Sequence, residues 1–174
     1  MVGIRPLELS DAPALLALRL GSRAHLEPWE PSRDARFYTL AAQEESLAAT
    51  LAEREEGRVL PFAILSDGAV VGGVTLGVIV RGVFENAYLG YWIGAGHAGR
   101  GITTEAVRQA VTHGFEAAGL HRVQAGVIPR NEPSLRVLAK LGFREEGLAL
   151  RYLRINGRWE DHKLFAVTQE EWGG

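Results

Sequence analysis

Apolar positions along this chain recur with two periods, and the switches between them mark its elements. Ile4 to Leu9 reads as a short strand. Ser10 then reads as an N-cap, with Asp11 in the first turn and Leu15, Leu16, Leu18 and Leu20 as the apolar part of a helix that stops near Gly21. Leu26 to Ser32 is a proline-punctuated loop that carries Trp29. Leu40, Leu47 and Leu51 share one face of a second helix, from Phe37 to about Glu56. The period then shortens. Leu60–Leu65, Val70–Val80 and Ala87–Ile93 read as strands of an antiparallel meander, the first two joined by an Asp67-Gly68 turn. Gly101 to Ala118 returns to helical spacing, with Val107, Ala110, Val111 and Phe115 as the buried stripe. His121–Ile128 is a strand and Asn131–Leu141 a helix closed by Gly142. Phe143–Ile155 and Arg158–Thr168 form a last hairpin about Asn156-Gly157. The order predicts one α/β domain over residues 1–174, a mixed, mostly antiparallel sheet of about seven strands with about four helices.

Composition narrows the classes. A chain of 174 residues fits one domain. Lys and Arg total 19 against 21 Asp and Glu, which argues against a nucleic-acid binder held by bulk charge. Cysteine is absent, so there is no disulfide framework, zinc–thiolate site or cysteine nucleophile. The longest uncharged stretches, Gly68–Val80 and Asn86–Gly99, are glycine-interrupted and shorter than the roughly 20 apolar residues of a membrane span. With no basic-then-apolar leader either, the expectation is a cytoplasmic protein without a membrane partner. His25, His97, His113, His121 and His162 lack close metal-ligand spacing, so no metal is expected. The outlier is glycine, 21 of 174 residues or about 12%, against a usual ~7%.

Four of those glycines crowd between Ile93 and Ile102: Gly94, Gly96, Gly99 and Gly101. A strand entering such a turn, followed by a helix, bares backbone N–H groups at the positive end of a helix dipole, a geometry that binds phosphate. Gly94-x-Gly96-x-x-Gly99 matches the dinucleotide fingerprint, but the following strand, Arg122 to Ile128, carries no carboxylate for a ribose. Gly94 and Gly99 also have P-loop spacing, but Arg100 and Gly101 follow where Lys and Ser or Thr are needed.

Ala98-Gly99-Arg100-Gly101-Ile102-Thr103 resembles the Arg/Gln-x-x-Gly-x-Gly/Ala pyrophosphate loop of GNAT-superfamily N-acetyltransferases. Ala98 and Thr103 depart from its usual residues. Asn131-x-x-Ser134, running on to Leu141-Gly142-Phe143, resembles the next helix of that superfamily. Glu27-Pro-Trp-Glu-Pro31, Ala87 to Trp92, His121-Arg-Val123 and Arg151 to His162 resemble the ribosomal-protein alanine acetyltransferases, the RimJ/RimL-like branch.

The resemblance implies a GNAT-like fold and direct acetyl transfer from acetyl-CoA to a primary amine, most plausibly the N-terminal α-amine of a ribosomal protein. It implies that Ile93, Gly99, Arg100, Gly101, Ile102, Thr103, Thr104, Asn131 and Ser134 hold acetyl-CoA. Ile93 N–H is then the candidate oxyanion donor, and Ser134 the candidate donor to the leaving thiolate. Ala87 stands where some relatives carry a glutamate base. Glu85, two residues earlier, is the candidate base if the strand reaches it. Glu27 and Glu30 could orient the acceptor, and Trp29, Tyr91 and Trp92 could line its groove. A homodimer is compatible with the resemblance. Acetylation of a small amine such as an antibiotic or polyamine, or a non-catalytic acyl-CoA-binding module, are the other readings.

Overall fold

The computed structural model describes residues 1–173. Seven strands are found: β1 Val2–Pro6, β2 Leu60–Ser66, β3 Ala69–Val80, β4 Asn86–Ile93, β5 Arg122–Val127, β6 Arg144–Ile155 and β7 Arg158–Thr168. Five α-helices accompany them: α1 Ala12–Gly21, α2 Arg23–Leu26, α3 Leu40–Glu55, α4 Ile102–Glu116 and α5 Glu132–Lys140. The expected mixed, mostly antiparallel sheet forms, in the order β1-β2-β3-β4-β5-β7-β6. Every neighbouring pair is antiparallel except β4 and β5, which run parallel. That parallel pair requires the crossover that α4 provides.

The local rules mostly carry through. Asp67-Gly68 and Asn156-Gly157 each turn with two positive φ values, as a tight hairpin needs. Four features differ from expectation. Strand β1 spans Val2–Pro6 rather than Ile4–Leu9, because Leu9 already belongs to a 3₁₀ turn. Ser10 does not cap α1; it lies inside a short 3₁₀ turn, Leu9–Asp11, closed by a reciprocal Glu8–Asp11 capping box. Helix α3 begins at Leu40 because Thr39 accepts from the Ala42 N–H, while residues Ala35–Tyr38 form a separate 3₁₀ turn. The one-turn helix α2 was not expected, since four residues are too few for a periodic signal.

Helix α4 supplies the larger core. Val107, Ala110 and Val111 are fully buried against Val74, Leu76, Ala87 and Val123 of the sheet. A smaller cluster on the opposite face joins Leu7, Ala12, Leu15 and Leu47, with Trp92 packed against it. Odd-numbered residues of β4 thus face α4, and Trp92 faces α1 and α3, as the period of a strand requires.

Candidate active site

The site begins with the direction of backbone amides on β4. Gly94 N–H donates to the Val71 carbonyl at 2.9 Å. Hydrogen-bonded pairs alternate along an antiparallel ladder, so Ile93 opposite Gly72 and Tyr91 opposite Val74 are non-bonded pairs. Their N–H groups therefore point away from β3, toward β5. Strand β5, however, is in register with β4 only from Asn86 to Tyr88. Beyond Tyr88 the two strands splay, and the Tyr91 and Ile93 amides face the gap.

The glycine turn lies at the mouth of that gap. Gly99 and Gly101 have φ of +75° and +78°, a left-handed conformation that disfavours any side chain. Gly101 is the N-cap of α4, and no side chain caps the helix. The N–H groups of Ile102, Thr103 and Thr104 are thus free in the first turn. Thr103 lies inside α4, so its β-branched side chain sits on an ordinary helical φ and its amide is available. Ser22 Oγ accepts from the Ala95 N–H at 2.9 Å and anchors the turn to the α1–α2 junction.

Across the gap stands α5. Asn131 Oδ1 accepts from Ser134 N–H at 3.3 Å, so Asn131 is the N-cap. The Ser134 hydroxyl lies 2.7 Å from the Tyr91 hydroxyl. Burial pushes the Tyr91 phenol up to about 12. Together these elements enclose a cleft of about 390 Å³, with Ile93, Gly99, Gly101, Thr103, Thr104, Asn131 and Ser134 in its lining. A row of free amides at a helix start, backed by the dipole, can hold a pyrophosphate, and the splay can admit an extended arm. The residues fit coenzyme A.

The other expected residues fall in different places. Ile102 offers its backbone amide while its side chain is buried in the core. Arg100 is exposed and does not line the cleft; its charge is felt at Asp67. Trp29 lines the cleft, with the Arg130 guanidinium 5.6 Å from its ring. Glu27 is exposed and outside the lining. Its neighbour Glu30 is inside, held by Arg19 at 3.0 Å, and Arg19 in turn lies 4.2 Å over the Trp92 ring. The Glu30 carbonyl accepts from Asn156 N–H at 2.9 Å, which docks the Pro-Trp-Pro loop on the β6–β7 turn.

Glu85 is the clear departure. Strand β4 begins at Asn86, and Glu85 precedes it with φ of +38°. Its carboxylate takes Arg81 at 3.0 Å and Gly82 N–H at 2.8 Å, and Arg81 lowers its pKa. Ile93 lies eight residue steps further along the chain, about 26 Å at ~3.3 Å per residue. Tyr91 lines the cleft, with its hydroxyl turned to Ser134 on the α5 side. Arg136 and Lys140 of α5, which the sequence reading passed over, line the cleft too. Their i, i+4 spacing, two positions beyond Ser134, was the available signal. Among the described residues no three His, Asp or Glu side chains group as metal donors, and no helix is long and apolar enough to cross a membrane.

Comparison with known proteins gives this geometry its family. Residues 2–144 match the model of the acetyltransferase (GNAT) domain. A Bacillus subtilis (strain 168) protein named "Probable N-acetyltransferase YjcK" is 40% identical, over 97% of this chain and 94% of its own length. The [ribosomal protein uS5]-alanine N-acetyltransferase of Escherichia coli (strain K12) is 33% identical over 97% of this chain and 88% of its own. The solved structure of Mycobacterium smegmatis RimJ in complex with CoA-disulfide superposes with a TM-score of 0.96 at 43% identity, covering 99% of this chain and 84% of that one. The chain belongs to the GNAT acetyltransferase family, in its RimJ/RimL group, and is an acetyl-CoA-dependent N-acetyltransferase.

Proposed function

We propose that the acceptor is the N-terminal α-amine of a protein, of the ribosomal-protein type, and that the amine attacks acetyl-CoA directly. The observation that carries this reading is that, among the described residues, no free carboxylate lines the cleft. The one acidic side chain of the lining among the described residues, Glu30, is occupied by Arg19. An α-amino group has a pKa of about 7.7–8.0 and is partly neutral near pH 7, whereas a lysine amine at about 10.4 needs a base. The E. coli relative named for alanine acetylation of uS5 supports the same class of acceptor. The spermidine N(1)-acetyltransferase of E. coli matches only 64% of this chain, at 28% identity.

Bound acetyl-CoA supplies an activated acetyl thioester. In this reading the amides of Gly101, Ile102, Thr103 and Thr104 hold its pyrophosphate. Asn131 caps α5 and orients the pantetheine arm. Ile93 N–H, unpaired in the splay, donates to the carbonyl oxygen as negative charge develops there. Ser134 Oγ–H donates to the departing sulfur, whose thiol pKa near ~8.5 makes a hydrogen bond sufficient. The acceptor enters past Trp29, beneath the loop docked on the β6–β7 turn, and no carboxylate base takes part.

Labelled acetyl-CoA tests the acceptor class. The protein is incubated with an alanine-terminated peptide that also contains lysine, with its N-terminally blocked form, and with spermidine. Label on the free α-amine alone is expected. Label only on lysine or on the polyamine would overturn the reading.

A further inference from the structure

Two hydroxyls meet at the wall of the splay. Tyr91 Oη lies 2.7 Å from Ser134 Oγ and 3.3 Å from the Ser134 carbonyl oxygen. The shorter contact is the stronger bond. The carbonyl also sits inside α5, where the ladder N–H of Leu138 is its natural partner. From this geometry we infer that Tyr91 is a positioning residue for acyl transfer: its phenol O–H donates to Ser134 Oγ and turns the serine's own hydrogen toward the thioester sulfur. The inference rests on the reading above, in which Ser134 serves that sulfur.

The physical argument is one of counting hydrogens. A serine hydroxyl has one hydrogen and rotates freely about its C–O bond. Left alone, it spends that hydrogen on any acceptor within reach. Tyr91 is held on a strand, packed against the main core, so its oxygen is fixed. A phenol is protonated near neutral pH, and burial raises its pKa further. Once Tyr91 fills one lone pair of Oγ as donor, the serine hydrogen must point elsewhere, and the cleft is where Ser134 opens. In the transfer the C–N bond forms and the C–S bond breaks, with its electron pair going to sulfur. The amine's proton leaves to solvent. Ser134 and Tyr91 keep their protons throughout, and the thiolate is protonated by water on release.

The test compares Tyr91→Phe, Ser134→Ala and the double variant with the wild type. Single-turnover rates at saturating acetyl-CoA are measured on the amine that the wild type acetylates, and CoA affinity is measured by calorimetry. Each single variant should slow the turnover about tenfold, the value of one hydrogen bond, with CoA affinity within about twofold. The double variant should be about as slow as Ser134→Ala alone, because the tyrosine acts through the serine. A wild-type rate for Tyr91→Phe beside a slow Ser134→Ala would overturn the inference and leave the Ser134 reading standing. So would a double variant whose loss is the product of the two single losses, or a Tyr91→Phe defect confined to CoA affinity. A wild-type rate for Ser134→Ala would instead remove the reading beneath it.

Discussion

Gly72 lies opposite Ile93 so closely that a Cβ on Gly72 would stand 2.3 Å from the Trp92 carbonyl oxygen and 3.0 Å from the Ile93 Cα. The peptide that joins Trp92 to Ile93 carries the amide assigned to the oxyanion, and β3 presses on it with bare backbone. That close approach, with the Gly94–Val71 bond beyond it, sets where the Ile93 N–H aims.

Gly72→Ala should therefore shift this peptide. We expect a stability loss of about 1–3 kcal/mol, the usual range for overpacking. The turnover should fall further than the unfolded fraction explains. Thermal melting and kcat, taken at a temperature where the variant is folded, check both. A folded variant with unchanged kcat would free Ile93 of its assigned role.

At Gly101 the constraint is different. A Cβ there meets no atom within 4 Å, but φ is +78°. Gly101→Ala should cost about 1–2 kcal/mol of backbone strain. Gly101→Glu adds an anion beside the free amides and should weaken CoA binding at least about tenfold beyond the alanine variant, the effect of ~1.4 kcal/mol. Calorimetric titration with CoA separates the two.

Asn131 has a measurable structural share. Its Oδ1 caps α5, and a cap lost to alanine costs about 1 kcal/mol. Asn131→Asp keeps the cap, so chemical denaturation should show a loss for Asn131→Ala and little for Asn131→Asp. A CoA-affinity loss common to both would report the side-chain amide's own contact.

Glu85→Gln should leave kcat and its pH profile within about twofold of the wild type, because the carboxylate is tied to Arg81 far from the splay. A pH–rate profile that loses its lower limb would return Glu85 to the role of base.

Stability in acid should report Glu146. The guanidiniums of Arg122 and Arg144 beside it, Arg122 first, lower its pKa from 4.5 to about 2. A depressed folded pKa contributes stability that is complete above the unfolded value and is lost as pH falls through the folded one. With its side chain 30% exposed, the contribution is screened to about 1 kcal/mol. Glu146→Gln should be less stable by that amount at pH 7, and the difference should close between about pH 4.5 and 2. Urea denaturation across that interval checks it.

The sequence disclosed whatever depends on neighbours along the chain. Period shifts located every strand and the four longer helices, because burial on one face imposes a period of two or 3.6 whatever lies across from it. The glycine turn and the Asn131-x-x-Ser134 pattern were visible for the same reason: a left-handed cap and a helix N-cap are local demands. Glu85 stands two residues before Ala87, but Gly82 and Arg81 curl the chain and take its carboxylate before the strand begins.

Only the tertiary structure decided what the amides and hydroxyls face. The aim of Ile93 N–H follows from which β3–β4 pairs bond and from the register ending at Tyr88 and Gln124. The meeting of Tyr91 with Ser134, 43 residues apart, follows from α5 lying against the end of β4. The turn of Glu30 toward Arg19 follows from packing against Trp92. Local sequence sets which backbone conformations are open to each residue. Long-range packing sets which of them come face to face, and in this protein the chemistry depends on that second step.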